Sequence, residues 1–178
     1  ALACIMYTSG STGEPKGTLT MHYNITRVVK KINYIHFSTK DRILQVTSFS
    51  FDGSTFGIYG ALLNGGTLVL STQDQTVNAR ELSNILRTQQ ITKCFVTTAL
   101  FNALVDIDPS CFATIETLLF GGEKASVSHV RKAFACLGPG RLIHVYGPTE
   151  STVFATYYPI DHLDDNANSV PIGKPISN

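Results

Sequence analysis

The sequence predicts an α/β fold: a mostly parallel sheet with helices on both faces, of the flavodoxin-like, doubly wound kind. Three observations carry this. Short apolar runs alternate about five times with stretches whose apolar residues recur every three or four positions. Such alternation favours parallel strands joined by crossover helices. The chemically unusual stretches (residues 7–17, Asp52, Gly121-Gly122 and residues 146–150) all follow predicted strands, where open sheets of this kind hold their ligands.

The elements follow in order. Residues 1–7 predict a buried strand feeding the loop 7–17. Residues 18–37 predict a helix, with Ile25, Val28, Val29, Ile32 and Ile35 on one stripe. Arg27, Lys30, Lys31 and Asn33 fall on its other side, and the basic run reads as a solvated face. A turn at 38–41 leads to a strand at 43–47. Asp52, Gly53 and Ser54 are helix-start residues, and Asn64-Gly65-Gly66 ends that helix because glycine accepts positive φ. Strands are predicted at 67–71, 93–97, 117–120, 141–146 and 153–160. Helices are predicted at 78–90, 99–105 and 126–137. Residues 161–169 read as a polar loop.

At 178 residues the chain holds about one domain's worth of sequence. A net charge of +1 gives no electrostatic reason to expect a nucleic acid or a membrane surface as partner. No apolar run approaches the roughly 18 residues of a membrane span, and the N-terminus lacks the charged start of a signal peptide. The four cysteines, Cys4, Cys94, Cys111 and Cys136, have no CxxC spacing and read as small buried thiols of a reducing, cytoplasmic compartment. His22, His36, His129, His144 and His162 show no ligand spacing. Both ends abut strand-like runs, so residues 1–178 are expected to be one partial domain of a larger protein.

The stretch YTSGSTGEPKG, residues 7–17, holds three glycines, four hydroxyl side chains beyond Tyr7, and one lysine. Free backbone N–H groups, hydroxyls and a cation suit a polyphosphate. A Walker A loop requires Gly-Lys-Ser/Thr opening a helix. Here Pro15 precedes Lys16 and Gly17 follows it, so that spacing fails.

YTSGSTGEPKG resembles the phosphate-loop signature of the adenylate-forming superfamily: acyl-CoA synthetases, luciferases and the adenylation domains of nonribosomal peptide synthetases. FDGS at 51–54 resembles the FDxS motif of the amino-acid-activating branch. YGPTE at 146–150 resembles that branch's nucleotide and metal motif, and VPIGKP at 170–175 the start of its next motif. The resemblance spans the chain and implies an AMP-forming ligase. It would use ATP and Mg²⁺ to activate an amino acid for transfer to phosphopantetheine on a carrier-protein domain of the same synthetase.

By this resemblance Ser11, Thr12 and the amides of Gly10 and Gly13 grip the β and γ phosphates, with Thr8 and Ser9 beside them. Lys16 supplies positive charge, and Glu150 binds the metal. Tyr146 stacks on adenine with Gly147 and Thr149 in the same motif. Gly121 and Gly122 admit the nucleotide close to the backbone. Lys16, Thr12 and Glu150 form the expected catalytic set.

Asp52 has two readings. It can cap the helix starting at Gly53, or it can pair with a substrate ammonium, as the family position does; the flanking Phe51 and Ser54 favour the second. The resemblance places the amino-acid pocket at Asp52, Gly53, Phe56, Phe95, Leu119, Gly121, Val145, Val153 and Phe154. Apart from Asp52 the set is apolar. It would leave a polar substrate side chain unpaired, at a cost of about 1–3 kcal/mol. An aliphatic side chain is therefore expected, isoleucine before valine or leucine. The family's TGD motif and the lysine of its small C-terminal subdomain do not occur in these residues, so the 178 residues alone are expected to be inactive. The alternatives are an acyl- or aryl-CoA ligase, for which an aspartate at 52 has no use, and a non-catalytic scaffold.

Overall fold

The computed structural model describes residues 1–9 and 13–177. Strands β1 (Leu2–Ser9) and β2 (Pro15–Met21) form an antiparallel hairpin, with Thr8 opposite Lys16 and Ser9 opposite Pro15. This corrects two expectations. Strand β1 is half-exposed rather than buried, and residues 18–21 continue β2 instead of starting a helix. Thr18, Leu19 and Thr20 pair with Met6, Ile5 and Cys4, and the two β-branched threonines suit a pleat.

Helix α1 (His22–Val29) follows directly. It buries Ile25, Val28 and Val29, then stops where Lys31 takes a φ of 52°. Ile32 and Ile35 reach the same apolar cluster from irregular chain. The apolar spacing through residue 35 is thus real, but only its first half is helical.

The main sheet comprises β3 (Arg42–Gln45), β4 (Thr67–Leu70), β5 (Lys93–Thr97), β6 (Thr117–Gly121), β7 (Leu142–Tyr146), β8 (Thr156–Pro159) and β9 (Lys174–Pro175). Its order is β4-β3-β5-β6-β7-β8-β9. The first five strands run parallel, while β8 and β9 are antiparallel. Residues 153–155, expected in a strand, instead form a turn before β8.

The helices are α2 (Gly53–Leu62), α3 (Gln73–Val77), α4 (Ala79–Thr88), α5 (Thr98–Ile107) and α6 (Val127–Leu137). Helix α3 was not foreseen. Thr72 caps it, accepting from Gln75 N at 3.3 Å while Gln75 Oε1 accepts from Thr72 N at 3.0 Å. Asn64 ends α2, its amide donating to Gly60 O and across to Val29 O of α1.

Strand side chains alternate between two cores. Cys94, Val96, Leu118, Phe120 and Leu142 face α4, α5 and α6. Phe95, Leu119, Ile143 and Val145 face α1 and α2. Helices therefore cover both faces, and the doubly wound expectation holds. No helix among the described residues is long and apolar enough to cross a membrane.

The amino ends of the strands are closed by charge. Lys93 and Asp41 are 4% and 2% exposed. The Lys93 ammonium donates to Asp41 and, at 3.3 Å, to Glu116. Asp41 also accepts from Ser38 N at 2.6 Å and from Thr92 Oγ1 at 3.1 Å. A buried pair holds only with such partners. This cluster lies at the opposite end of the sheet from the residues singled out above.

Chain direction reverses between β3 and β5. The chain moves outward from β3 to β4, then crosses back to build β5, β6 and β7 on the other side. Connections leaving β3 and β5 diverge at such a switch point and open a crevice beyond the carboxyl ends.

Candidate functional site

Strand β3 delivers Asp52 through residues 46–52. Gln45 Nε2 donates to Thr47 O at 2.5 Å and steadies the exit. Ser54 then fixes the turn: its hydroxyl donates to Phe51 O at 2.8 Å and its amide to the same oxygen at 3.1 Å. Asp52 stands at the N-cap of α2, yet its side chain makes no cap hydrogen bond; only its carbonyl accepts, from Thr55 N at 2.8 Å. Asp52 is half-buried, and none of the ion pairs among the described residues involves it.

A cavity of about 70 Å³ opens beside that carboxylate. It is lined by Asp52, Gly53, Phe95, Gly122, Val145, Gly147, Val153 and Phe154. Six of the nine expected pocket residues thus meet in one place. Phe56 and Leu119 are fully buried and lie outside the lining. Phe56 instead backs it, with its ring centroid 6.4 Å from Phe95 and 5.4 Å from Phe154. Phe95 and Phe154 meet edge to face at 5.1 Å.

Gly121 lines a wider crevice of about 670 Å³ at the β3/β5 switch, together with Asp52, Gly53, Phe95, Gly122 and Glu123. Its lack of a side chain is a packing demand: a Cβ there would lie 2.1 Å from Val145 O of the next strand. Gly53 is similarly constrained, since its Cβ would come 2.8 Å from Phe95 Cε1.

Of the expected phosphate residues, the structure describes Thr8, Ser9, Gly13 and Lys16. Thr8, Ser9 and Lys16 occupy facing ends of β1 and β2, and Gly13 has a φ of 87°. Gly10, Ser11 and Thr12 lie outside the described residues. Strand β2 comes into contact with the tight turn Thr149–Ser151. The hairpin and the turn that carries Glu150 are thereby neighbours, though about 130 residues separate them in sequence. Glu150 is exposed, and Tyr146 projects half-exposed from the end of β7.

Two residues have roles their sequence context did not show. Gly147, expected only in the nucleotide motif, also lines the small cavity. A Cβ on it would sit 2.4 Å from Val153 O and 2.7 Å from Phe154 Cα. Arg27, expected on a solvated face, is half-buried. Its guanidinium donates to Ser151 O and, at 3.1 Å, to Phe154 O. Lys30 is likewise engaged, donating to Leu63 O at 2.8 Å and Asn64 Oδ1 at 3.1 Å. Between Arg27's two acceptors, Thr152 and Val153 have φ of 60° and 66°. For a β-branched residue that conformation is strained, by about 1–3 kcal/mol. The only sequence signal at Arg27 was a charge close to the apolar stripe of α1.

Among the remaining titratable groups, His144 is buried against Phe120 and its Nδ1 lies 2.8 Å from Pro171 O. Burial holds its imidazole below the ordinary value. Cys94 and Cys111 are buried, and burial pushes their thiols up to about 12 and about 11. Cys4 is half-buried and Cys136 exposed, correcting the expectation that all four are buried.

Fold and site together define a class: an α/β protein with its crevice at the switch point of a parallel sheet and an antiparallel hairpin in contact with the turn Thr149–Ser151. The AMP-binding enzyme family matches residues 1–178, and the chain belongs to that family. It is 53% identical over 176 residues to bacitracin synthase 1 of Bacillus licheniformis, covering 99% of this chain and 3% of that protein. It is 48% identical over 178 residues to surfactin synthase subunit 1 of Bacillus subtilis (strain 168), covering 100% of this chain and 5% of that protein. Among solved structures it resembles holo-PA1221, a nonribosomal peptide synthetase protein with adenylation and PCP domains bound to a vinylsulfonamide inhibitor. There the TM-score is 0.88 at 36% identity over 99% of this chain and 30% of that one. It also resembles the Klebsiella oxytoca NpsA N-terminal subdomain in complex with 3-hydroxyanthranilyl-AMSN, with TM-score 0.85 and 26% identity over 98% of this chain and 45% of that one. The chain spans only a small part of the length of these synthetases.

Proposed function

We propose that this chain forms the amino-acid and nucleotide site of an AMP-forming ligase that activates an aliphatic amino acid for nonribosomal peptide synthesis. One observation carries this reading: a half-buried aspartate, with no side-chain partner among the described residues, stands at the edge of an otherwise apolar cavity. Such a carboxylate favours a cationic ligand, and an amino acid brings an ammonium together with a side chain to fill the cavity. About 70 Å³ is roughly half of an apolar cavity that takes benzene. That suits a short aliphatic chain and disfavours an aromatic acid; the order isoleucine before valine or leucine rests on the resemblance of the lining residues to the family's pocket.

In the proposed reaction the substrate carboxylate attacks the α-phosphorus of ATP. A new P–O bond forms, the α–β bridging bond breaks, and pyrophosphate leaves with the displaced charge. Catalysis of this kind is positioning plus electrostatic stabilisation. Asp52 fixes the ammonium, while Phe95, Val145, Val153 and Phe154 hold the side chain. The hairpin amides and hydroxyls with Lys16 take the β and γ phosphates, and Tyr146 offers a face for adenine. Glu150 fits Mg²⁺, which is commonly held by one or two carboxylates plus substrate phosphates; when bound, the ion neutralises developing phosphate charge. A carrier-protein thiol, on phosphopantetheine, would then displace AMP. PA1221 unites adenylation and PCP domains in one protein, which supports that partner.

No lysine lines either cavity among the described residues. We infer that residues 1–178 alone do not turn substrates over. The test is ATP–pyrophosphate exchange by the full-length protein against a panel of amino, fatty and aryl acids. Exchange is expected with aliphatic amino acids. Exchange only with fatty or aryl acids would overturn the reading, and pyrophosphate release by the isolated 178 residues would overturn their inactivity.

A further inference from the structure

We propose that Arg27 is a positioning residue for substrate selectivity, acting from outside the pocket by holding its Val153–Phe154 wall in place. The proposal rests on the amino-acid pocket reading above.

Val153 and Phe154 reach the cavity only because the chain turns sharply between the tight turn Thr149–Ser151 and β8. That turn uses two successive non-glycine residues with positive φ, Thr152 and Val153. A β-branched residue does not keep such a conformation unaided. Local backbone bonds are few: Thr152 N donates to Thr149 O, Phe154 N to Thr152 O, and Ala155 N to Tyr146 O. Arg27 supplies the bracing from another element. Its Nη2 donates to Ser151 O and Phe154 O, the carbonyls just before and just after the strained pair. One planar cation thus fixes both ends of a short arch.

The arch closes from the other side as well. Gly147 leaves no room for Val153 and Phe154 to relax toward β7 without contact. The Phe154 ring is also held by Tyr34, 6.0 Å away edge to face, and by Phe56 and Phe95. Arg27 is the one charged group in this set. Its length brings one nitrogen, Nη2, within reach of both carbonyls, and lysine, with a shorter reach and a differently hydrated head, replaces it only in part. Without it the arch loses the contact that opposes its strain, and the pocket wall widens. Of the expected ATP contacts, those on the hairpin and at Tyr146 receive no bond from Arg27, while Glu150 lies one residue before the clamped Ser151 carbonyl.

The test compares Arg27→Lys and Arg27→Ala with the native full-length protein, by two readouts. The first is amide exchange of residues 152–155 without substrate, which does not depend on any activity. Protection there should fall by about tenfold or more in Arg27→Ala, as expected for a lost charge-assisted hydrogen bond, and by less in Arg27→Lys. Unchanged protection in both variants would overturn the proposal, even if the protein activates amino acids. The second is kcat/KM for isoleucine against valine. A one-methylene discrimination of about 10- to 200-fold should shrink toward unity in Arg27→Ala and recover in part in Arg27→Lys, with the KM for ATP rising less than that for the amino acid. Lost protection with discrimination intact would overturn the selectivity role. So would a rise in the KM for ATP equal to that for the amino acid. If the native protein exchanges pyrophosphate with no amino acid, the functional reading fails and the selectivity role with it, whatever the exchange data show for the clamp.

Discussion

Asp52→Asn separates the two roles open to this residue, because they make opposite demands on the empty protein. The substitution keeps shape and removes the charge. As an N-cap whose side chain accepted a backbone N–H, Asp52 would cost about 0.5–2 kcal/mol of stability on replacement by alanine. Its side chain makes no such bond. Unfolding free energy should therefore stay within about 0.5 kcal/mol in both Asp52→Asn and Asp52→Ala. Substrate activation should respond differently. A hydrogen bond between charged groups contributes about 1.5–3 kcal/mol, and loss of one member of a fully desolvated pair about 3–5 kcal/mol. Asp52 is only half-buried, and partial solvent screening holds the effect to about 2–3 kcal/mol. That is about a 30- to 160-fold fall in kcat/KM. The assay is pyrophosphate exchange at saturating ATP, alongside thermal unfolding of the same preparations. A second arm uses the matching acid that lacks the ammonium group. The native protein should reject it, and Asp52→Asn should narrow the gap between the two substrates. Unchanged kinetics with a cap-sized loss of stability would refute the reasoning and leave Asp52 a helix cap.

Gly53→Ala drives a Cβ against Phe95 at 2.8 Å. Overpacking of about 1–3 kcal/mol should raise the KM for isoleucine more than that for valine; equal effects on both would refute a shared wall. Lys93→Met leaves Asp41 buried without its ammonium partner, so urea denaturation should show a loss of about 3–5 kcal/mol. Adding Asp41→Asn should restore part of it, and no recovery would refute the pairing. Burial lowers the His144 pKa from its usual 6.5, so the unfolded chain takes up that proton first. The stability this gives is present above about 6.5 and is lost as pH falls from there toward the lower folded value; His144→Phe should flatten that window, and an unchanged profile would refute it. Iodoacetamide should modify exposed Cys136 in the native protein and reach Cys94 and Cys111 only on unfolding, since burial holds their thiols at about 12 and about 11. Rapid native labelling of Cys94 would contradict its burial.

Much of the pocket was legible because its parts obey local rules. Parallel strands in register bring equivalent positions side by side, with Phe95 opposite Leu119 and Gly121 opposite Val145. Alternation then sends Phe95, Leu119 and Val145 to one face, and the turn after β3 adds Asp52 and Gly53. The helices α4 and α6 announced themselves by spacing. The hairpin did not: residues 18–21 carry a weak apolar pattern that continues smoothly into the stripe of α1, and only pairing with β1 decides between strand and helix. Phe56 and Leu119 show the limit of position-by-position transfer. Both have the right place in the chain, yet both are fully buried behind the lining. Both belong to the apolar cluster that also holds Phe95 and Phe154.

Residues 147–154 were the least legible part of the site, and the reason is physical. No propensity favours a left-handed Val153, so the conformation there is imposed from afar. Arg27 acts across 127 positions to Phe154 O, through backbone carbonyls that carry no side-chain signature. Gly147 acts by what it lacks, and a glycine before a proline reads first as an ordinary turn. A wall held this way has a consequence for changing selectivity. Replacing lining residues alters what faces the cavity, while the position of Val153 and Phe154 is set by α1 on one side and by the close approach of the residue 147 backbone on the other. Exchanging Val153 or Phe154 for a larger residue would press first against these supports. The support that yields more readily, a guanidinium on a flexible stem rather than a backbone without a side chain, would then decide how far the pocket adapts.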